Sequence, residues 1–170
     1  MKSLLIAAAD ALADGPAADL VALDLAAGSA GALPAGAVHV AVAPVEAAAS
    51  AAGLARAMAL APAGIVLEGA RSGRDVTLLD ARLAVCEAER GLAHGGTSII
   101  AVASAEALIE IGSFRGASAR LAGLAFDPEA LERELGAPDA AVSELARGMV
   151  VLAARAAGVP AFRVIRRPPA

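Results

Sequence analysis

The clearest pattern in this chain spans Gly64–Phe126, which reads GIVLEGARSGRDVTLLDARLAVCEAERGLAHGGTSIIAVASAEALIEIGSFRGASARLAGLAF. Three short apolar runs, Gly64–Leu67, Ser98–Ala103 and Leu121–Phe126, alternate there with helix-like segments. Strands of this length alternating with helices predict a parallel sheet built from βαβ units. In such sheets the chemistry lies just past the carboxyl ends of the strands. Polar residues that follow the apolar runs are therefore the first candidates for a functional site.

The best-marked helix is predicted over Ser72–Arg90. Ser72 and Asp75 stand at the N-cap and at the third helical position, close to a capping box, and Gly91 supplies a C-terminal cap. Helical spacing puts one apolar row on a single face. The row consists of Val76, Leu79, Leu83 and the only cysteine, Cys86, which is predicted as a small buried residue.

The same alternation continues on both sides of this stretch. Further strands are predicted at Lys2–Ala8, Asp19–Leu25, Ala37–Ala43 and Ala161–Ile165. Further helices are predicted at Val45–Leu60, at Ala105–Ile111, from Pro128 to near Gly136, and from an Asp139 cap to Ala157. The apolar face predicted for the last helix consists of Val142, Leu145, Met149 and Leu152.

About seven strands in 170 residues predict a shortened barrel. A (β/α)8 barrel usually needs ~250 residues, with ~200 as a lower limit. The segment Ala26–Gly36 has no helical period, so a loop is predicted where a crossover helix is expected. The expectation is a single domain over residues 1–170, a truncated or incomplete TIM-like barrel of parallel strands. A missing eighth unit would leave the first and seventh strands as open edges that favour self-association.

Composition narrows the function classes. Hydrophobic residues make up 58% of the chain and aromatic residues only 2%, and roughly three residues in ten are alanine, far above ordinary usage. The net charge of −4 gives no electrostatic footprint for nucleic acid. Arg163, Arg166 and Arg167 form the only basic cluster and are predicted to be a solvated tail. The N-terminal segment does not suit a secretion signal. The uncharged segment Leu25–Val45 does not suit a membrane helix. A cytoplasmic protein without a membrane partner is therefore expected.

Several segments resemble the citrate lyase β-subunit family of the HpcH/HpaI aldolase superfamily. They follow one another in the family's order. They are AADLVALDLAAGSA (17–30), VHVAVAP (38–44), AGIVLEGARSGRDVTLLDARLAVCEAERGL (63–92), SIIAVASAEALIEIGSF (98–114), LAGLAFDPEALERELGA (121–137) and ARGMVVLAARAAGVPAF (146–162). The resemblance implies a (β/α)8 barrel, often trimeric. It also implies a divalent metal, usually Mg²⁺, that helps to cleave or form a carbon–carbon bond of an acyl-CoA or a 2-oxo acid.

Carried over position by position, that active site is nearly empty. The family's metal-binding Glu falls on Ser104, and its second ligand, an Asp, falls on Ala130. The family's acidic pair falls on Ala26 and Ala27. Its substrate arginine falls on Ala41, and its asparagine on Ala43. Its Pro-Lys pair falls on Glu68 and Gly69. A hard cation needs several oxygen ligands, which Ser and Ala do not replace. No metal is therefore expected at Ser104 and Ala130.

Other polar residues remain near the predicted strand ends. Glu68, Arg71 and Glu129 are weak catalytic candidates, and Ser104, Glu106 and Asp127 are candidates for substrate binding. Asp10 and Glu46 follow other strands, and His39 is predicted to be a sheet histidine. Asp127 and Glu129 also suit an N-cap and a first helical turn, and Arg71 suits a solvated ion pair, for instance with Glu68.

Two functions follow from this pattern. The first is a divergent, weakly active or non-catalytic homologue of the carbon–carbon lyases, without a cofactor, that keeps a partner or an acyl-CoA or small-carboxylate ligand. The second is an active Mg²⁺-dependent lyase of the citryl-CoA or malyl-CoA type that uses a rearranged acidic site of Glu68, Asp127 and Glu129. A homo-oligomer is expected in either case.

Overall fold

Seven parallel strands close into a barrel in the computed structural model, which describes residues 1–8, 18–24, 39–42 and 50–167. The strands are β1 (Lys2–Ala7), β2 (Leu20–Asp24), β3 (His39–Val42), β4 (Gly64–Ala70), β5 (Ser98–Ala103), β6 (Leu121–Phe126) and β7 (Ala161–Arg167). Each strand pairs with the next along the chain. The predicted TIM-like barrel with about seven strands is therefore confirmed.

The predicted open edges are wrong, because β7 pairs with β1. The register runs from Lys2 opposite Phe162 to Ala7 opposite Arg167 along the full length of β1. Closing a sheet satisfies the backbone N–H and C=O groups that an edge strand leaves unpaired. Edge pairing consequently gives no reason for this chain to self-associate.

The barrel interior is filled mainly by small side chains. Fewer strands make a narrower barrel, so less volume is available inside it. The buried interior cluster consists of Leu4, Ile6, Ala22, Ala41, Val66, Ile100, Val102, Ala125, Phe162 and Val164. Its one aromatic ring, Phe162, fits because Gly123 faces it: a Cβ on Gly123 would lie 2.5 Å from Phe162 Cε2.

Five helices cover the outside of the barrel within the described ranges. They are α1 (Ser50–Ala59), α2 (Gly73–Arg90), α3 (Ala105–Ile109), α4 (Pro128–Leu135) and α5 (Ala140–Ala157), with a 3₁₀ turn at Ile111–Phe114 after α3. The predicted caps of α2 are present: Ser72 Oγ accepts from Arg74 N, and Gly91 is left-handed. No described helix has the length and apolarity that a bilayer crossing needs.

Two predicted helix faces need correction. On α2, Val76, Leu79 and Leu83 are buried as expected, but Cys86 is only half-buried, because its neighbour Glu87 occupies the buried position. On α5 the predicted apolar face is only half right, because Val142 and Met149 are half-buried while its two leucines are exposed. Its buried residues are Ala146, Val150, Ala153 and Ala154, because small side chains let the helix lie close to the sheet. Leu145 and Leu152 are 65% and 72% exposed.

Several predicted features lie outside the described residues. They are the loop Ala26–Gly36, Asp10, the first five residues of the helix predicted at Val45–Leu60, and the ends of the third strand at 37, 38 and 43. His39 lies on β3 as predicted and is buried, with its Nε2 3.2 Å from Ser98 Oγ. Burial lowers the pKa of His39, which favours a neutral ring, and no residue of the described ranges bonds to Nδ1.

An ion-pair network ties α2 to the segments that precede β5 and β6. Arg120 donates from Nη1 and Nη2 to the two carboxylate oxygens of Glu87 at 2.7 and 2.8 Å, and from Nε to Asp80 at 2.6 Å. The Glu87 carboxylate also accepts the backbone N–H groups of Gly95 and Thr97, each at 2.9 Å. These bonds, led by those from Arg120, lower the pKa of Glu87 to about 2.

Removing the charge of Glu87 should destabilise the fold. In Glu87→Gln, the buried Arg120 loses its principal anion, so the free energy of unfolding in urea at pH 7 should fall by about 3 kcal/mol. Because the folded-state pKa of Glu87 lies below its ordinary 4.5, the wild type should keep this contribution above pH 4.5 and lose it as the pH falls towards 2. The free energy of unfolding of Glu87→Gln should fall less than that of the wild type between pH 4.5 and pH 2.

The control for this measurement is Glu89→Gln, on the same helix, whose side chain is 66% exposed. Its stability and pH dependence should match the wild type within about 0.5 kcal/mol. Equal pH profiles for Glu87→Gln and the wild type would show that this carboxylate does not contribute.

The close contact between Gly123 and Phe162 gives a second test. Gly123→Ala should lower the free energy of unfolding by about 1–3 kcal/mol, because the added methyl group overpacks the barrel interior. Gly53→Ala on α1 is the matched control, since a Cβ there meets nothing within 4 Å, and it should raise stability by up to about 1 kcal/mol. A neutral Gly123→Ala would mean that Phe162 moves aside without cost.

Candidate functional site

Five polar side chains continue the inward-facing rows of the barrel at its carboxyl end. Residues two apart on a strand point to the same face. Each of the five stands two positions after a buried interior residue, in the order Ala22, Val66, Val102, Ala125 and Val164. They are Asp24 on β2, Glu68 on β4, Ser104 after β5, Asp127 after β6 and Arg166 on β7. This end of the barrel is where the strand pattern predicted the functional residues.

Arg166, Glu68 and Asp127 form one ion-pair cluster, here called the mouth cluster. Arg166 Nε and Nη2 donate to Asp127 Oδ2 at 2.9 and 2.6 Å, and Nη2 also donates to Glu68 Oε1 at 2.5 Å. The Asp127 side chain is 1% exposed, and the other two are each 26% exposed. Burial alone would lower the pKa of Arg166, but the two carboxylates outweigh it and raise that pKa. The cluster thus holds one positive and two negative charges.

Asp127 links this cluster to the helix that follows it. Its Oδ1 accepts the backbone N–H of Ala130 at 3.0 Å, while its Oδ2 accepts from Arg166. The predicted N-cap role of Asp127 is confirmed. One carboxylate therefore fixes the start of α4 and the arginine at the end of β7 at once.

The donor set does not fit the divalent metal that the sequence resemblance implies. Ser104 is buried, and its Oγ accepts from Ala107 N as the N-cap of α3. Ala130 lies beside the cluster without a side-chain donor. Glu68 and Asp127 are both bonded to Arg166, and the described part of the chain contains no group of three His, Cys, Asp or Glu placed to hold a metal ion. A hard cation needs more free oxygen ligands than this.

A cavity of about 290 Å³ lies between the mouth cluster and α4. Besides the cluster, its lining includes Ala130, Arg133 and Glu134. The Glu134 carboxylate accepts the backbone N–H of Ala105 at 2.7 Å. Arg133 is exposed, and none of the residues that the structure describes bonds to its guanidinium. Arg133 is therefore a cation at the cavity that an anionic ligand could reach.

The other sequence candidates lie outside this cavity. Arg71 Nε is 3.7 Å from Asp75 Oδ2, and its backbone N–H donates to the same oxygen, so Asp75 takes the partner position considered for Glu68. Glu106 is exposed in the first turn of α3. Glu129 is exposed and lines a separate depression on α4. The structure thus brings Glu68 and Asp127 together and leaves Glu129 apart.

Arg166 is the residue that the sequence interpretation missed. The seventh strand was predicted to stop at Ile165, with the arginines solvated, whereas β7 continues to Arg167. β4 likewise extends past the predicted Leu67 to Ala70, which puts Glu68 inside a strand. The available signal was the alternation of Phe162, Val164 and Arg166, which points Arg166 inward if the strand continues.

Five other candidate or family positions cannot be placed. Ala26, Ala27 and Ala43 lie outside the described residues, as do Asp10 and Glu46. Ala41 is on β3, buried inside the barrel. An alanine there contributes no charge to the mouth.

No protein-family model and no curated protein sequence matches this chain, whereas solved structures do. RipC from Yersinia pestis has a TM-score of 0.71 at 22% identity, over 96% of this chain and 75% of that one. CitE from Mycobacterium tuberculosis, in complex with magnesium, acetoacetate and coenzyme A, has a TM-score of 0.71 at 24% identity, over 96% of this chain and 65% of that one. A citrate lyase from Burkholderia xenovorans has a TM-score of 0.76 at 18% identity, over 99% of this chain and 65% of that one.

These similarities concern the fold, since all three identities are below 25%. Proteins that share the barrel include citrate lyases, as the sequence resemblance predicted. The chain spans about two thirds of the length of the CitE and Burkholderia proteins.

The mouth cluster should stabilise the fold through Arg166. Arg166→Met leaves the buried Asp127 carboxylate without its cation, so the free energy of unfolding should fall by about 3 kcal/mol. Adding Asp127→Asn should recover more than half of this loss, because the amide oxygen still caps α4 and the uncompensated charge is gone. Urea unfolding followed by circular dichroism measures both variants.

Arg147→Met is the matched control, since Arg147 pairs with Glu144 on the surface of α5. It should cost less than about 1 kcal/mol. A loss no larger in Arg166→Met than in this control would contradict a stabilising role for the cluster.

Proposed function

We propose that this chain is a divergent relative of the citrate lyase β-type carbon–carbon lyases that does not catalyse a metal-dependent reaction and binds a small carboxylate at the barrel mouth. The observation that carries the proposal is the mouth cluster: its two carboxylates are both bonded to Arg166. Ser104 and Ala130 stand where the sequence resemblance places metal ligands, and neither supplies a carboxylate.

The chemistry of carbon–carbon cleavage supports this proposal. Breaking the bond next to a carbonyl leaves an enolate, and an enzyme must stabilise that negative charge with a cation or with aimed hydrogen-bond donors. At this mouth the charge of Arg166 is already balanced by Glu68 and Asp127. Two carboxylates beside one guanidinium make the immediate surroundings repel a developing enolate rather than stabilise it.

The size of the cavity and the position of Arg133 support a small anionic ligand. About 290 Å³ lies at the lower end of the range for ligand pockets, which suits a short carboxylic acid better than a whole coenzyme A. Arg133 offers a guanidinium that can bind a carboxylate through two parallel hydrogen bonds. The similar CitE structures contain acetoacetate or, in another complex, oxaloacetate, each with magnesium, and ligands of that class are the ones to test here.

The alternative is an active Mg²⁺-dependent lyase with a rearranged acidic site. The observation that favours this alternative is that two carboxylates, those of Glu68 and Asp127, meet at the carboxyl end of the barrel. Arg166 Nη2 donates a hydrogen bond to both of them. For this site to hold a cation, Arg166 would have to leave both carboxylates. The cost of breaking a pair that includes the buried Asp127 weighs against that rearrangement.

Calorimetric titration and an activity assay distinguish the two functions. The wild type should bind neither Mg²⁺ nor Mn²⁺ with micromolar affinity and should not cleave malyl-CoA or citryl-CoA in an EDTA-sensitive way. Acetoacetate or oxaloacetate should bind without metal. Arg133→Gln should weaken that binding at least about tenfold, because a charge-assisted bidentate contact is lost.

Arg115→Gln, an exposed arginine that does not line the cavity, is the matched control and should bind as the wild type does. EDTA-sensitive cleavage of either thioester would overturn the non-catalytic proposal and support the alternative. Equal affinities in the Arg133→Gln and Arg115→Gln variants would overturn the carboxylate site.

A further inference from the structure

Helix α5 presents its largest apolar side chains to solvent. Leu145 and Leu152 are 65% and 72% exposed, while alanines and Val150 face the barrel. The outward row, here called the α5 stripe, consists of Ala141, Leu145, Gly148, Met149, Leu152 and Ala156. These positions repeat at helical spacing over about 22 Å of helix. A continuous apolar row of this kind on an exposed helix is a surface suited to a partner.

Gly148 makes the middle of this stripe shallow. A Cβ added there would meet nothing within 4 Å, so the position opens to solvent. Glycine in a helix interior costs stability relative to alanine. The lack of a side chain between Leu145 and Leu152 lets another helix approach the backbone closely, as small residues do at helix–helix contacts.

The order of residues along the stripe is self-complementary. Reversed about a point between Gly148 and Met149, the row repeats its own chemistry: Leu145 falls opposite Leu152, and Ala141 opposite Ala156. An antiparallel pair of identical helices related by a two-fold axis has this correspondence, because residue i meets residue j and j meets i. We propose that the α5 stripe packs antiparallel against the same stripe of a second copy of this chain.

Charges beside the stripe select the antiparallel arrangement. Glu144 and Arg155 are eleven residues apart, close to three helical turns, so they lie on the same flank of the stripe. In an antiparallel pair like flanks face each other, and Glu144 of one copy then lies near Arg155 of the other, twice by symmetry. A parallel pair keeps these charges at opposite ends.

Both charged groups have bonding capacity to spare. Glu144 Oε2 accepts from Arg147 of its own helix, and within the described ranges nothing donates to Oε1. Arg155 is exposed, and its guanidinium makes no hydrogen bond or ion pair with a described residue. The second copy would therefore add contacts without breaking existing ones.

The contact is one helix pair, smaller than a standard protein interface, so a dimer with a dissociation constant on the order of 10 μM is expected. Sedimentation equilibrium of the intact chain from about 1 to 300 μM, a range that brackets such a constant, measures it. Leu152→Lys and Gly148→Gln should each raise the dissociation constant at least about tenfold. Gly148→Gln should do so without lowering the melting temperature of the monomer, since glutamine is the better helix former.

A charge swap tests the orientation. Glu144→Arg alone should raise the dissociation constant about tenfold, because two attractive contacts become repulsive. Adding Arg155→Glu to it should restore the wild-type value. The control is Val85→Lys, which alters a residue that is 58% exposed on α2, a helix packed on β4 and β5, and it should leave dimerisation unchanged.

A monomer at all concentrations would overturn the proposal. So would a dimer that Leu152→Lys and Gly148→Gln leave intact, since another surface would then hold it. A dimer that both variants weaken but the double charge variant does not restore would overturn the antiparallel arrangement.

Discussion

The pairing of β7 with β1 closes the barrel, and the other features of this molecule depend on that closure. A ring of seven strands has less interior volume than a ring of eight, so the inner rows tolerate few large side chains. Ala22, Ala41 and Ala125 suit that restriction, and Phe162 fits inside only because Gly123 has no Cβ. A packed interior of this kind leaves room for ligands only at the ends of the strands.

Closure also brings Arg166 to the mouth. β7 must run to Arg167 to pair with the last residue of β1, and this extension turns Arg166 towards the ends of β4 and β6. Its guanidinium then neutralises part of an acidic site that would otherwise repel itself. An arginine in this place is a cation that cannot dissociate from the protein, whereas a metal ion needs further oxygen ligands and exchanges with solvent. The proposed loss of lyase chemistry follows if the guanidinium of Arg166 takes the place of a metal ion at this site.

The two ends of the barrel contain ion-pair clusters with different consequences. At the amino end, Glu87 and Arg120 are both almost fully buried and hold the entries of β5 and β6 against α2. A role in stability is what the amino face of such barrels usually has. The mouth cluster is partly exposed and borders a cavity. A side chain of the mouth cluster can therefore both support the fold and contact a ligand.

The amino-acid sequence by itself determined the strand–helix alternation and the helix ends. The caps at Ser72, Asp127 and Asp139 depend on residues within three or four positions, so local pattern is sufficient to find them. Tertiary structure decided whether the barrel closes, which face of α5 is buried, and what neutralises Glu68. Arg166 and Glu68 are 98 positions apart. Their contact exists only because closure sets the register of β7, and no short-range pattern encodes that register.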